Sequence, residues 1–157
     1  MGILVAICVT AFLAMLDITV KSCIEGCMTR EEERTACGGK VILRKVYNKG
    51  FSLNLLDDKP EAVKYASAYT TVILTIIQLV TLMRKKQGLK KAGLSLMTAG
   101  AWSNTFDRWV RGYVIDYLGF QTKWEKITRI TYNLGDFFIA AGGLLLVISS
   151  LFSKKKK

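Results

Sequence analysis

Apolar positions fall into four long runs, separated by segments that are charged or that alternate in polarity. Residues 2–16 (GILVAICVTAFLAML) are continuously apolar up to Asp17. Residues 65–83 form an uncharged run of 19, closed by Arg84-Lys85-Lys86. At about 1.5 Å per residue such a run reaches roughly 28 Å, enough for a hydrocarbon core. Residues 92–106 (AGLSLMTAGAWSNTF) are rich in Gly, Ala, Ser and Thr, the small residues that let helices approach closely in lipid. Residues 133–152 (NLGDFFIAAGGLLLVISSLF) form the last run, closed by a lysine tail. The pattern predicts an α-helical membrane protein with four transmembrane helices, the first ending near Val20. That first run lacks the basic n-region and small-residue cleavage site of a signal peptide.

Between the first two runs the pattern changes period. VILRKVYN (41–48) is β-branched and aromatic, and YNKGFSLNLL (47–56) alternates around an Asn and a Gly, as in a turn between short strands. A small extracytoplasmic β-rich insert over 22–64 is expected within a single integral membrane domain, 1–157. Residues 25–39 read as an exposed loop or a short helix. Cys8 is expected to pack inside the first span, while Cys23, Cys27 and Cys37 lie outside, where a disulfide is permitted.

Charge then fixes an orientation. The net charge is +11, and residues 84–91 with the tail 154–157 carry nine of it. Basic runs of this kind also suit nucleic acid, but here they abut apolar spans and read as the cytoplasmic side, with no nucleic-acid partner. Four spans then put both termini in the cytoplasm and the segments 21–64 and 107–132 outside. The ends of spans one and three and the start of span four share that outer side. Asp17, Lys21, Asp107, Asp116 and Asp136 can therefore gather there.

The chain has no histidine, which excludes the usual Ser-His-Asp and Cys-His hydrolases and most zinc chemistry. Aspartates are the natural acid–base candidates. Ionisable groups at membrane depth are costly and mark functional sites by default. Asp107 precedes Arg108 and suits an ion pair that organises the loop. Asp116 follows Tyr113-Val114-Ile115 on an extended piece, and Asp136 lies one turn inside span four, three residues after Asn133. Asp116 and Asp136 are the best pair for hydrolysis by two carboxylates that share one proton. Each also has a plain structural reading. Asp136 suits a helix-dipole partner, Asp116 an ordinary loop residue, and Asn104 and Asn133 polar packing between helices. From the residues alone this is a polar cluster at the outer end of a four-helix bundle, with a protease, a small transporter and a scaffold all open.

Five blocks carry a resemblance. Asp17-Ile-Thr-Val-Lys21, Asn48-Lys-Gly50-Phe51, Gly100-Ala-Trp-Ser-Asn104-Thr-Phe-Asp107-Arg108, Gly112-Tyr-Val-Ile-Asp116-Tyr and Tyr132-Asn133-Leu-Gly-Asp136 resemble, in order, the motifs of bacterial lipoprotein signal peptidases. The resemblance implies an aspartyl endopeptidase of the bacterial inner membrane. Such enzymes remove the signal peptide from diacylglyceryl-modified prolipoproteins, before the lipidated cysteine, and are inhibited by the cyclic peptide globomycin. It implies catalytic roles for Asp116 and Asp136. Asn104, Asp107, Arg108 and Asn133 would support them, and Asp17, Lys21, Asn48 and Gly50 would shape the substrate site under a β cradle. It implies membrane lipids as surroundings, no metal or organic cofactor, and a monomer. Ser103 stands where that pattern has Gly, and Gly135 and Phe137 where it has Ala and Ser. The stretch 22–40 has no counterpart in it.

Overall fold

The computed structural model describes residues 2–50 and 56–153. The far half of the expected turn at 47–56 and the lysine tail lie outside the described residues. Four long helices, α1 (Ile3–Cys27), α2 (Pro60–Met83), α3 (Gly88–Val110) and α5 (Leu134–Ser153), account for most of the chain. Four short strands, β1 (Glu33–Ala36), β2 (Val41–Asn48), β3 (Val114–Phe120) and β4 (Thr131–Tyr132), form one antiparallel sheet in the order β1-β2-β3-β4. A single turn of helix, α4 (Glu125–Thr128), lies between β3 and β4.

Three of the helices are long and apolar enough to cross a membrane. Each contains an 18-residue stretch that is strongly apolar, of mean hydropathy 2.5 in Ile3–Cys27, 1.7 in Pro60–Met83 and 2.0 in Leu134–Phe152. Much of their outward surface is bare hydrocarbon, including Leu4, Phe12, Ile76 and Leu144. The third predicted run falls on α3, which is more polar because it is the central helix. It packs against α1, α2 and α5, and its small and polar side chains face them rather than the surroundings. Glycines set how closely α3 and α5 meet. A Cβ on Gly142 would stand 2.5 Å from the Gly93 carbonyl oxygen, and one on Gly100 would overlap the Gly135 carbonyl. The two backbones touch at both places, as expected where packing rather than hydrophobicity drives association.

Several expectations need correction. Helix α1 does not stop near Val20 but continues to Cys27. Lys21 does not mark the water boundary, because its ammonium is fully buried against Asp17, one turn earlier, at 2.9 Å. The stretch 25–39 is neither a loop nor a helix throughout, since Glu33–Ala36 is an edge strand paired with Val41–Arg44. Cys37, Gly38 and Gly39, all with positive φ, make the turn between them. Cys8 is exposed on the outside of α1 rather than packed, and all four cysteines are free thiols. The 22–64 segment supplies only half of the sheet. β3 and β4 come from the loop between α3 and α5, so the sheet stitches the segments 22–64 and 107–132 together.

Candidate active site

Asp116 sits in β3, and its position follows from strand register. Asp116 lies opposite Val46 and Asn48 opposite Val114, which makes Asn48 and Asp116 diagonal neighbours on one face. The Asn48 Nδ2 donates to Asp116 Oδ2 at 3.1 Å. Asp136 sits at the start of α5, where Asn133 caps the helix. The Asp136 N–H donates to Asn133 Oδ1 at 3.0 Å, and the Asn133 N–H donates back to Asp136 Oδ2 at 3.1 Å. This is a capping box with Asn and Asp in place of the usual Ser and Glu. Because the Asn133 oxygen is occupied by the helix, its amide nitrogen is free to point outward, and Nδ2 donates to Asp116 Oδ1 at 2.6 Å. The last carboxylate oxygen, Asp136 Oδ1, accepts Asn104 Nδ2 at 3.0 Å. All four oxygens of the two aspartates thus receive an N–H.

Electrostatics at the pair pull in opposite directions. Burial and the neighbouring Asp136 carboxylate push Asp116 up to about 7, against the opposing pull of the Asn133 and Asn48 amides and of Lys21. Like charges held close in a poorly solvated site split their titrations in this way.

Around the pair, Lys21 is the hub. Its ammonium donates to Asn104 Oδ1 at 2.7 Å and Ser103 Oγ at 3.0 Å, and lies 3.4 Å from Asp107 Oδ2. Asp107 is fully buried. It accepts the Ile115 N–H at 3.2 Å, fixing the start of β3, and pairs with Arg111. The partner that shares Asp107's helix face is Arg111, four residues on. Neighbours in a helix point about 100° apart, whereas residues four apart share a face. Arg108 reaches to the Gly50 carbonyl, at 2.7 Å, and ties the end of the β2 segment to α3.

The structure brings all the residues singled out in the sequence into one connected set of hydrogen bonds and ion pairs: Asp17, Lys21, Asn48, Gly50, Asn104, Asp107, Arg108, Asp116, Asn133 and Asp136. Sequence reasoning missed Ser103, Arg111 and Tyr117. The Tyr117 hydroxyl donates to Asp17 Oδ1 at 3.0 Å and accepts the Leu134 N–H at 3.2 Å, so it binds α1 to the first residue of α5. The four-residue spacing from Asp107 was the available signal for Arg111. Ser103 stood out in the sequence only as a departure from the motif, with no role attached to it, and nothing pointed to Tyr117.

Asp116 and Asp136 open onto a cavity of about 540 Å³. Its polar end holds the two aspartates with Asn48, Asn104, Arg108 and Asn133. From there it runs between α2–α3, lined by Ser67, Thr71 and Thr105, and α5, lined by Phe137, Ile139 and Ala140. The cavity thus sets the polar cluster beside apolar side chains of α5.

Residues 9–152 match the family model of signal peptidase II. The chain belongs to the signal peptidase II family. It is 32% identical to the lipoprotein signal peptidase of Aeromonas hydrophila over 71% of this chain and 67% of that one. It is 33% identical to that of Caldicellulosiruptor bescii over 76% of this chain and 77% of that one. Its fold is similar to that of a solved bacterial membrane enzyme, with a TM-score of 0.84 at 21% identity over 99% of this chain and 93% of the other. A second bacterial membrane enzyme gives 0.78 at 20% identity, over 95% and 94% of the two chains. Membership of the signal peptidase II family makes this chain a membrane-embedded peptidase.

Proposed function

We propose that this peptidase is of the aspartyl type, with Asp116 and Asp136 as its catalytic residues. It would remove the signal peptide from diacylglyceryl-modified prolipoproteins, cutting before the lipidated cysteine. The observation that carries the reading is the convergence of two aspartates, from a strand and a helix start, on one half-apolar cavity, with an N–H on each of their oxygens.

The chemistry follows from one shared proton. The ionised carboxylate takes a proton from water as that water attacks the scissile carbonyl carbon. The protonated carboxyl donates to the carbonyl oxygen as it gains charge. The tetrahedral intermediate then collapses, the C–N bond breaks, the proton first taken from water passes to the leaving amine, and a hydroxyl proton of the intermediate returns to the carboxylate that acted as acid. The amides of Asn48, Asn104 and Asn133 hold both carboxyls in place, so little reorganisation is needed during the reaction. Arg108 and Asn104 would hold substrate backbone. The apolar groove beside Phe137 and Ile139 would take acyl chains or the signal helix, arriving sideways from the bilayer. A cyclic peptide of the globomycin type would compete for the same cavity. The enzyme would work as a monomer with four membrane-crossing helices, α3 included, the 22–64 insert and both termini as laid out above, and the pair at the outer face of the inner membrane.

The test is a gel-shift assay in detergent with a lipidated prolipoprotein and the wild type, Asp116→Asn and Asp136→Asn proteins. Asn keeps the shape but cannot cycle a proton. Wild type should shorten the substrate, and each variant should lose at least about a thousandfold in rate while remaining folded. Cleavage by both variants at near wild-type rate would overturn the assignment and make Asp107 the next candidate.

A further inference from the structure

Asp17 is fully buried, and its two oxygens are held from different elements. Oδ1 accepts the Tyr117 hydroxyl. Oδ2 accepts the Ser103 hydroxyl at 2.6 Å and lies 2.9 Å from the Lys21 ammonium. Lys21 also donates to the same Ser103 oxygen and to Asn104 Oδ1. An ammonium has only donors, so it can meet Asn104 only at its oxygen. That decides which end of the amide faces Asp136. A flipped Asn104 would set N–H against ammonium and oxygen against carboxylate, two repulsions in a site with little water. The Asn104–Asp136 hydrogen bond at 3.0 Å is therefore the last link of a chain that starts at Ser103 and Asp17.

Gly135 borders the same oxygens. A Cβ there would stand 2.8 Å from Asp17 Oδ2, 2.9 Å from Asn133 Oδ1 and 3.3 Å from Asn104 Oδ1. Asp17 Oδ2 is thus drawn toward α3 by the Ser103 hydroxyl, and the missing side chain at 135 leaves it room on the α5 side. A hydroxymethyl present at 103 and a methyl absent at 135 bracket one carboxylate oxygen.

We propose that Ser103 and Gly135 act as a coupled pair of positioning residues. The Ser103 hydroxyl holds Asp17 and Lys21 in the arrangement that aims Asn104 at Asp136, and Gly135 supplies the space that arrangement occupies. This role rests on the reading of Asp116 and Asp136 as the reacting pair, and neither Ser103 nor Gly135 lines the cavity onto which that pair opens.

The experiment uses the full-length protein in detergent as wild type, Ser103→Ala, Ser103→Gly, Gly135→Ala and the double variant Ser103→Gly with Gly135→Ala. The kcat and KM for a lipidated prolipoprotein are measured beside the melting temperature. Ser103→Ala should lower kcat about tenfold, equivalent to about 1.4 kcal/mol, with KM nearly unchanged. A serine that only supported folding would lower the melting temperature and leave kcat per folded molecule intact. Gly135→Ala should lose more. The double variant should be faster than Gly135→Ala alone, because removing the hydroxymethyl lets Asp17 move off the new methyl. Wild-type kcat in Ser103→Ala, or a double variant whose loss is the product of the single losses, would overturn the pair. A wild type that cleaves nothing would sink the aspartyl reading instead. The coupling is then read in melting temperatures, where the double variant should melt above Gly135→Ala and strictly additive shifts would refute it.

Discussion

Asp116 is the residue on which pH should act most directly. Burial and the Asp136 charge both disfavour its ionised form, which is why it rises to about 7, while the Asn48 and Asn133 amides favour that form. A pair that works with one proton loses it as pH rises, so kcat/KM should fall as pH passes through about 7. The sign of a substitution follows. Asn48→Ala removes an N–H that stabilises the carboxylate, so Asp116 should hold its proton longer and the alkaline limb should move up by about one pH unit or less. A limb that stays in place or moves down would mean that Asn48 does not serve the charged form. At this scale the sequence was readable where a residue type is costly in its surroundings. Aspartates and asparagines beside apolar runs announce themselves. Ser103 and Tyr117 do not, because a serine in a small-residue helix and a tyrosine in a strand are ordinary until the fold brings Asp17 against both.

Helix α5 shows how an element can carry chemistry through its own stability. Its capping box uses the Asn133 oxygen for the helix and the Asn133 nitrogen for Asp116, so one side chain both starts the helix and links the two aspartates. The two tasks can be separated. Asn133→Ser keeps a good N-cap oxygen and should hold the melting temperature within a few degrees, since caps differ by only about 1 kcal/mol. It removes the donor to Asp116 and should lower kcat by about a hundredfold. Activity and stability falling together would show that the cap, not the amide, is what Asn133 contributes. The apolar runs located the four long helices, because length and hydropathy are local properties. Strand β1 was invisible, since Glu-Arg-Thr-Ala has no alternation and little apolar content. It is a strand only because β2 pairs with it across the Cys37–Gly39 turn. The C-terminal end of α1 was misjudged for the related reason that Lys21 is neutralised not only by Asp17 one turn earlier but also by Asp107, far away in sequence.

For the whole molecule, the polar cluster and the sheet lie at one end of the helices and the Arg84-Lys85-Lys86 loop at the other. Lys91 strengthens that far end. It is buried near the start of α3, and its ammonium donates to the Leu82 carbonyl at 2.9 Å, closing the C-terminus of α2. A cation there suits the negative end of the helix dipole, so the α2–α3 connection is built around positive charge both inside and out. Such charge is hard to translocate, so the proposed orientation has the loop in the cytoplasm and the sheet outside. The cysteines make this testable without disturbing the site. Cys23, Cys27 and Cys37 are exposed thiols at the sheet end, and Cys8 is exposed only along the apolar face of α1. In cells with a permeabilised outer envelope and an intact inner membrane, a charged maleimide should label the wild type through these three. With Cys23, Cys27 and Cys37 changed to Ser, labelling should vanish, because Cys8 faces lipid. Adding Lys85→Cys to that background should restore labelling only after the inner membrane is opened. Labelling of Lys85→Cys in sealed cells would invert the topology, put Asp116 and Asp136 on the cytoplasmic side, and remove them from any substrate presented at the outer face.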